Sequence, residues 1–130
     1  MTDDMDVLDI NGLLTSKVMD RKTIHQTGHW HRAVHLYLFN KNYDLLLQKR
    51  SKYTDHGQGL YSISVTGHVN AGESSHDAMD REIREELGLD PALMKIRFLF
   101  SYKSFVDTIH YKDYQFNDVY VCYYEHQLEN

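Results

Sequence analysis

The chain has 130 residues, 42% hydrophobic and 25% charged, with 14 basic against 19 acidic side chains and a formal net charge of −5. That size and balance suit one domain with a buried core, expected to span residues 1–130. The acidic residues are spread along the chain and no apolar run reaches bilayer length, so nothing favours binding to nucleic acid or to a membrane. The start "MTDDMDVLDINGLL" lacks the basic stretch and apolar run of a leader, which makes the cytoplasm the expected location. The lone cysteine, Cys122, excludes an intramolecular disulfide and reads as a buried, inert thiol.

Taken in chain order, "MDVLDI" reads as a short first strand, and Asn11-Gly12 supplies a hairpin turn toward "LLTSKVM". The alternation in "HRAVHLYLF" puts Val34, Leu36 and Leu38 on one face, and "DLLLQKR" is expected to return as its antiparallel partner. Residues 51–59 are polar and loop-like, after which "LYSISVTG" regains strand character and stops at Gly67. From residue 74 to 87, Met79, Ile83 and Leu87 recur every fourth position, the narrow apolar stripe of an amphipathic helix. Ser74 fits the N-cap, Gly88 the C-terminal stop, and Pro91 follows. "KIRFLFSYKSF" and "FNDVYVCYY" read as two more strands, giving a mostly β chain with one central helix, in the α+β class.

That helix carries an unusual acidic cluster. Glu82, Glu85 and Glu86 fall within an arc of about 100° beside the apolar stripe, at the border of core and solvent. The plain alternative is a solvated acidic face. Pairing weighs against it: Asp77 and Asp80 stand four residues before Arg81 and Arg84, so both arginines are expected to pair along the helix, leaving Glu82 and Glu86 without a cation. Glu85 and Glu86 also lie in the last turn, where the helix dipole disfavours carboxylates. Three convergent carboxylates are natural oxygen ligands for a hard divalent cation, Mg²⁺ or Mn²⁺ before Ca²⁺, since the spacing is not that of a looped calcium site. Zinc or copper would prefer nitrogen or sulfur donors.

Gly67, five residues, Glu73, seven residues and then "REIREELGL" from Arg81 to Leu89 together resemble the Nudix box at all seven specified residues and both aliphatic positions. The flanks "VLDINGLLTSKVMDR", "HWHRAVHLYLFN", "LLLQKRS" and "SVTGHVNAGES" are similar to the Nudix branch related to isopentenyl-diphosphate isomerase. The resemblance implies an α/β/α sandwich around a mixed sheet, here without the C-terminal helix, since the sequence stops at Asn130. It implies a metal-dependent hydrolase that cleaves the diphosphate linkage of a small molecule, a nucleoside diphosphate joined to another moiety. Glu82, Glu85 and Glu86, helped by the Gly67 carbonyl, would hold Mg²⁺ or Mn²⁺, with Glu73 and Arg81 bracing loop and helix. One of these glutamates, or a carboxylate from a later loop, would take the proton from the attacking water.

In related proteins the arginine of "QKRS", here Arg50, contacts phosphate, while Lys49 and Lys52 read as surface charges. The isomerase branch has a histidine-rich second metal site, and His25, His31 and His68 stand close to where its ligands fall. There Gln115 takes the place of an acidic residue, leaving Asp113 as the substitute. Single histidines on strands are otherwise ordinary packed residues. The resemblance also implies a cysteine near residues 62–66 for isomerisation, and "SISVT" has none. Asn70 replaces the glutamate common in the loop, which bears on loop bracing. Gln115 and the short end keep a second reading open, a diphosphate-binding module with weak turnover; a prenyl-diphosphate isomerase is the third. The apolar late strands suggest a homodimer.

Overall fold

The computed structural model describes residues 4–49 and 61–124. Strands β1 (Asp4–Leu8) and β2 (Leu14–Asp20) form the hairpin expected from the sequence, Leu8 facing Leu14. Its turn is held by Asp9, whose carboxylate accepts from the N–H groups of Asn11 and Leu13 at 2.8 and 3.0 Å. A short helix that the sequence reading missed, α1 (Arg21–Thr27), follows at once. Asp20 caps it by accepting from Thr23 N–H at 2.8 Å, and its one buried residue, Ile24, is too little for a 3.6-residue period to show.

The sheet is built around β3 (Trp30–Phe39), which runs parallel to β8 (Lys112–Tyr123) along its whole length. On its other edge β3 pairs antiparallel with β6 (Val65–His68) and meets Leu8 of β1. β7 (Ile96–Asp107) pairs with β8 and ends the strand order β2-β1-β3-β8-β7. The expected pairing of residues 31–39 with residues 44–50 is therefore corrected. Because β6 occupies that edge from Ala33 to Leu36, the returning chain only bridges the end of β3, at Phe39 and Leu45 and through Leu46 N–H to Leu38 O at 2.8 Å. Ser64 replaces a missing rung: its hydroxyl donates to Leu46 O at 2.6 Å and accepts from Leu38 N–H at 2.8 Å. Beyond it, β4 (Gln48–Lys49) pairs with β5 (Tyr61–Ser62) as a separate ribbon.

Helix α2 (Ser75–Leu87) starts and stops as the sequence suggests. The Ser74 hydroxyl accepts from Asp77 N–H at 3.1 Å, and Gly88, at φ 66°, supplies the left-handed residue that turns the chain out of the helix. Ala78, Met79 and Ile83 are fully buried against Val34, Leu36, Leu38, Val65 and Cys122, and burying each large side chain contributes roughly 1.5–3 kcal/mol. Residues 31 and 35 of β3 alternate with this set and so face away from α2; there His31 meets His25 of α1. Helices thus lie on both faces of a mixed sheet, the α+β sandwich that the resemblance implies. Among the described residues, no helix is long and apolar enough to cross a membrane.

Candidate functional site

Strand β6 and helix α2 touch where residue 67 has no side chain. A Cβ built there would lie 2.3 Å from Cδ of Glu82, so the carboxylate can reach the strand only past a glycine. Glu82 is 13% exposed and Glu85 46% exposed, while Gln48 of β4 donates to Glu86 Oε1 at 3.1 Å. Burial pushes the Glu82 carboxyl above its ordinary range; Arg81 and a hydrogen bond with Glu86 oppose that, and Glu85 adds to it. Confined acidic groups of this kind are better ionised once a cation joins them.

Arg81 is the hub of this site, and here the expected pairing is corrected. It does not bond Asp77: its Nε and Nη2 donate to both oxygens of Glu73 at 2.9 and 3.0 Å, and its Nη1 to Glu82 at 2.6 Å. Glu82 is therefore not without a cation, and Glu85 also lies 3.4 Å from Arg81. Asp80 pairs with His76 at 3.6 Å, not with Arg84. The fork geometry explains the choice, since a bidentate carboxylate offered by the loop is a better partner than a flexible single contact along the helix. The bond to Glu73 raises the Arg81 pKa, and although burial opposes ionisation of Glu73, the guanidinium holds its carboxyl below the usual range. Asn70 braces the loop through its backbone, its N–H donating to Glu73 Oε1 and its carbonyl accepting from Glu73 N–H, both at 3.0 Å. The side chain exchanged at position 70 is not what makes these bonds.

The remaining guanidinium bond, Arg81 Nη2 to the carbonyl of His68 at 2.9 Å, leads to the second cluster. His68 lies opposite Ala33 in β6, so its ring faces away from α2. There it meets His25 and His31, with ring centroids 5.2 to 5.7 Å apart and one ring nitrogen of each within 4.8 Å of the others. Asp113 of β8 directs Oδ1 at His31 and His25, at 3.4 and 3.7 Å. Among the described residues, Nε2 of all three histidines and Oδ1 of Asp113 are buried without a hydrogen-bond partner. Three imidazole nitrogens within reach of one another, with a carboxylate oxygen beside two of them, form a pattern a metal ion would resolve.

The protonation states suit that role. Burial lowers the His31 pKa and pushes His68 down to about 3, helped by the charge of Arg21. His31 Nδ1–H donates to His29 O at 3.2 Å, which leaves the Nε2 lone pair free in the neutral ring. Burial opposes ionisation of Asp113, yet His25, His31 and a bond from Gln115 hold it down at about 2. Gln115, which the resemblance places here, donates to Asp113; Arg21 and Tyr111 also act here, and the sequence does not show their part because α1 and the hairpin geometry of β7 and β8 bring them in. His35 stays outside the cluster, bonded to Asn117 at 2.8 Å. Arg50 lies outside the described residues.

Comparison with known proteins adds the following. A family model described as "NUDIX domain" matches residues 29–130. "Nudix hydrolase 3" of Arabidopsis thaliana is 36% identical over 127 residues, 95% of this chain but 16% of that protein. An uncharacterised Nudix hydrolase of Listeria innocua is 36% identical over 100 residues, covering 77% of this chain and 59% of its own length. The isopentenyl-diphosphate Delta-isomerase of Pectobacterium atrosepticum is 37% identical over 91 residues, 70% of this chain and 50% of the isomerase. The chain thus spans less than two thirds of these curated relatives. A crystal structure from Deinococcus radiodurans superposes with a TM-score of 0.80 at 24% identity, over 96% of this chain and 74% of that one, a likeness of fold.

Proposed function

This chain belongs to the Nudix family, and on that premise we propose that it is a Mg²⁺- or Mn²⁺-dependent pyrophosphohydrolase cleaving a diphosphate linkage in a small molecule. The observation that supports it is the placement of Glu82 against Gly67, with Arg81 bonding Glu82, Glu85 and Glu73 and Gln48 holding Glu86. Glu82, Glu85, Glu86 and the Gly67 carbonyl would hold the cation; when bound it neutralises phosphate oxygens and makes an attacking water more acidic. The chain's own part is orientation: Arg81 aims Glu82, Gln48 aims Glu86, and one of the carboxylates takes the proton of the water. Arg50 is assigned to substrate phosphate on the resemblance alone, and the reaction belongs to the cytoplasm.

Incubation with Mg²⁺ and a panel of nucleoside diphosphate derivatives tests this reading. Release of a nucleoside monophosphate from at least one of them is expected, with a large loss in Glu86→Gln; an unchanged rate in that variant would contradict it. Prenyl-diphosphate isomerisation is disfavoured by the one cysteine, which is 1% exposed in the α2 core. As a second part of the proposal, His25, His31, His68 and Asp113 form a separate cation site, supported by their orphaned donor atoms.

A further inference from the structure

Ser64 is a fully buried polar residue that belongs to neither cluster of the candidate site. It stands immediately before β6, three residues ahead of Gly67. Its hydroxyl donates to Leu46 O and accepts from Leu38 N–H, which ties the edge of β3 to the chain entering β4. Leu46 and Ser64 face each other in the register that continues outward as Gln48 opposite Ser62 and Lys49 opposite Tyr61. The ribbon β4–β5 is thereby one ladder rooted in the core, and its innermost rung is a side chain. Two backbone groups depend on that hydroxyl, so a polar residue is needed there.

Gln48, two residues beyond Leu46, is where this ladder reaches the glutamates: its Nε2 donates to Glu86 Oε1 at 3.1 Å. An amide suits the task. A lysine would neutralise Glu86 and compete with a cation, whereas an amide N–H orients the carboxylate and leaves its charge. Glu82, one turn earlier on α2, is fixed by Arg81 and faces Gly67. An oxygen that already accepts an N–H is also a poor half of a bidentate clamp. Ca²⁺ takes about six to eight oxygens at about 2.3–2.6 Å and readily uses both oxygens of one carboxylate. Mg²⁺ demands a near-ideal octahedron at about 2.0–2.1 Å, which the narrow bite of a bidentate carboxylate distorts.

We infer that Gln48 and Ser64, both outside the glycine and glutamate motif, are positioning residues for the glutamate cation site. Ser64 roots the ribbon, Gln48 presents Glu86 through one oxygen, and the site thereby selects a small octahedral cation over Ca²⁺. This rests on the reading of the glutamates as the cation site, and adds what sets their geometry and their selectivity for ion size.

Calorimetric titration of Mn²⁺ and of Ca²⁺ into the full chain tests it, read on the Mn²⁺ binding event that Glu86→Gln removes. Gln48→Ala, made on a half-buried ribbon outside the core, should keep the native circular dichroism and weaken that event about 10–100-fold, while Ca²⁺ affinity does not fall. Ser64→Ala should weaken Mn²⁺ binding too, and the double variant should bind no more weakly than Gln48→Ala, because both act through one path. Unchanged Mn²⁺ affinity in Gln48→Ala overturns the positioning role, and equal losses for Mn²⁺ and Ca²⁺ overturn the selectivity. Additive losses in the double variant overturn the relay from Ser64; Gln48→Ala still decides the inference should Ser64→Ala fail to fold. If Glu86→Gln removes no Mn²⁺ event, the cation reading itself falls and the inference falls with it.

Discussion

A methyl group at residue 67 would stand 2.3 Å from Cδ of Glu82, which makes this glycine the tightest constraint at the candidate site. Gly67→Ala must push α2 or Glu82 aside, so hydrolysis is expected to fall by about 10²-fold, the usual cost of a 1 Å displacement. Stability should drop by about 1–3 kcal/mol, as overpacking does; steady-state kinetics and urea unfolding read the two effects. A pH effect belongs to the same scale. His68 titrates near 3 in the fold against 6.5 in the open chain, because burial penalises its charged form. The unfolded state therefore binds more protons between these values, and metal-free protein should lose stability as pH falls from 7 toward 4. Unfolding midpoints in chelator across that range check the sign. The glutamates and their motif were legible because their spacing is local. The partner of Arg81 was not, since pairing rules along a helix do not see a carboxylate brought in by the preceding loop.

Helix α2 shows what a sequence states clearly: a stripe of period near 3.6, a serine cap and a glycine stop give its limits. Met79→Ala should cost about 2–5 kcal/mol through the cavity left under Val34 and Leu36, and Ser74→Ala about 1 kcal/mol through the lost cap. Equilibrium denaturation of the two variants separates these magnitudes. α1 was invisible for the opposite reason, with seven residues and one buried side chain. The partner of β3 could not be read either. Alternation identifies a strand and its faces but carries no information on which of several strands takes each edge, and here β8, β6 and β1 pair with β3.

At the scale of the molecule, β6 joins the two faces of the sheet. Gly67 meets Glu82 on the α2 face, His68 joins the histidines on the other, and Arg81 bonds across to the carbonyl between them. Strand β7 leaves an edge with Phe98, Phe105 and Val106 half or more exposed. A homodimer is expected there; sedimentation equilibrium should find one that Phe98→Glu and Phe105→Glu weaken, and a monomeric wild type would rule it out. The acidic cluster remains the centre of the functional reading, and the most direct measurement is calorimetric titration of Mn²⁺ into wild type and Glu86→Gln, paired with Mg²⁺-dependent hydrolysis. Loss of the oxygen-ligand binding event together with hydrolysis is predicted; equal Mn²⁺ binding and equal turnover in the two proteins would contradict it.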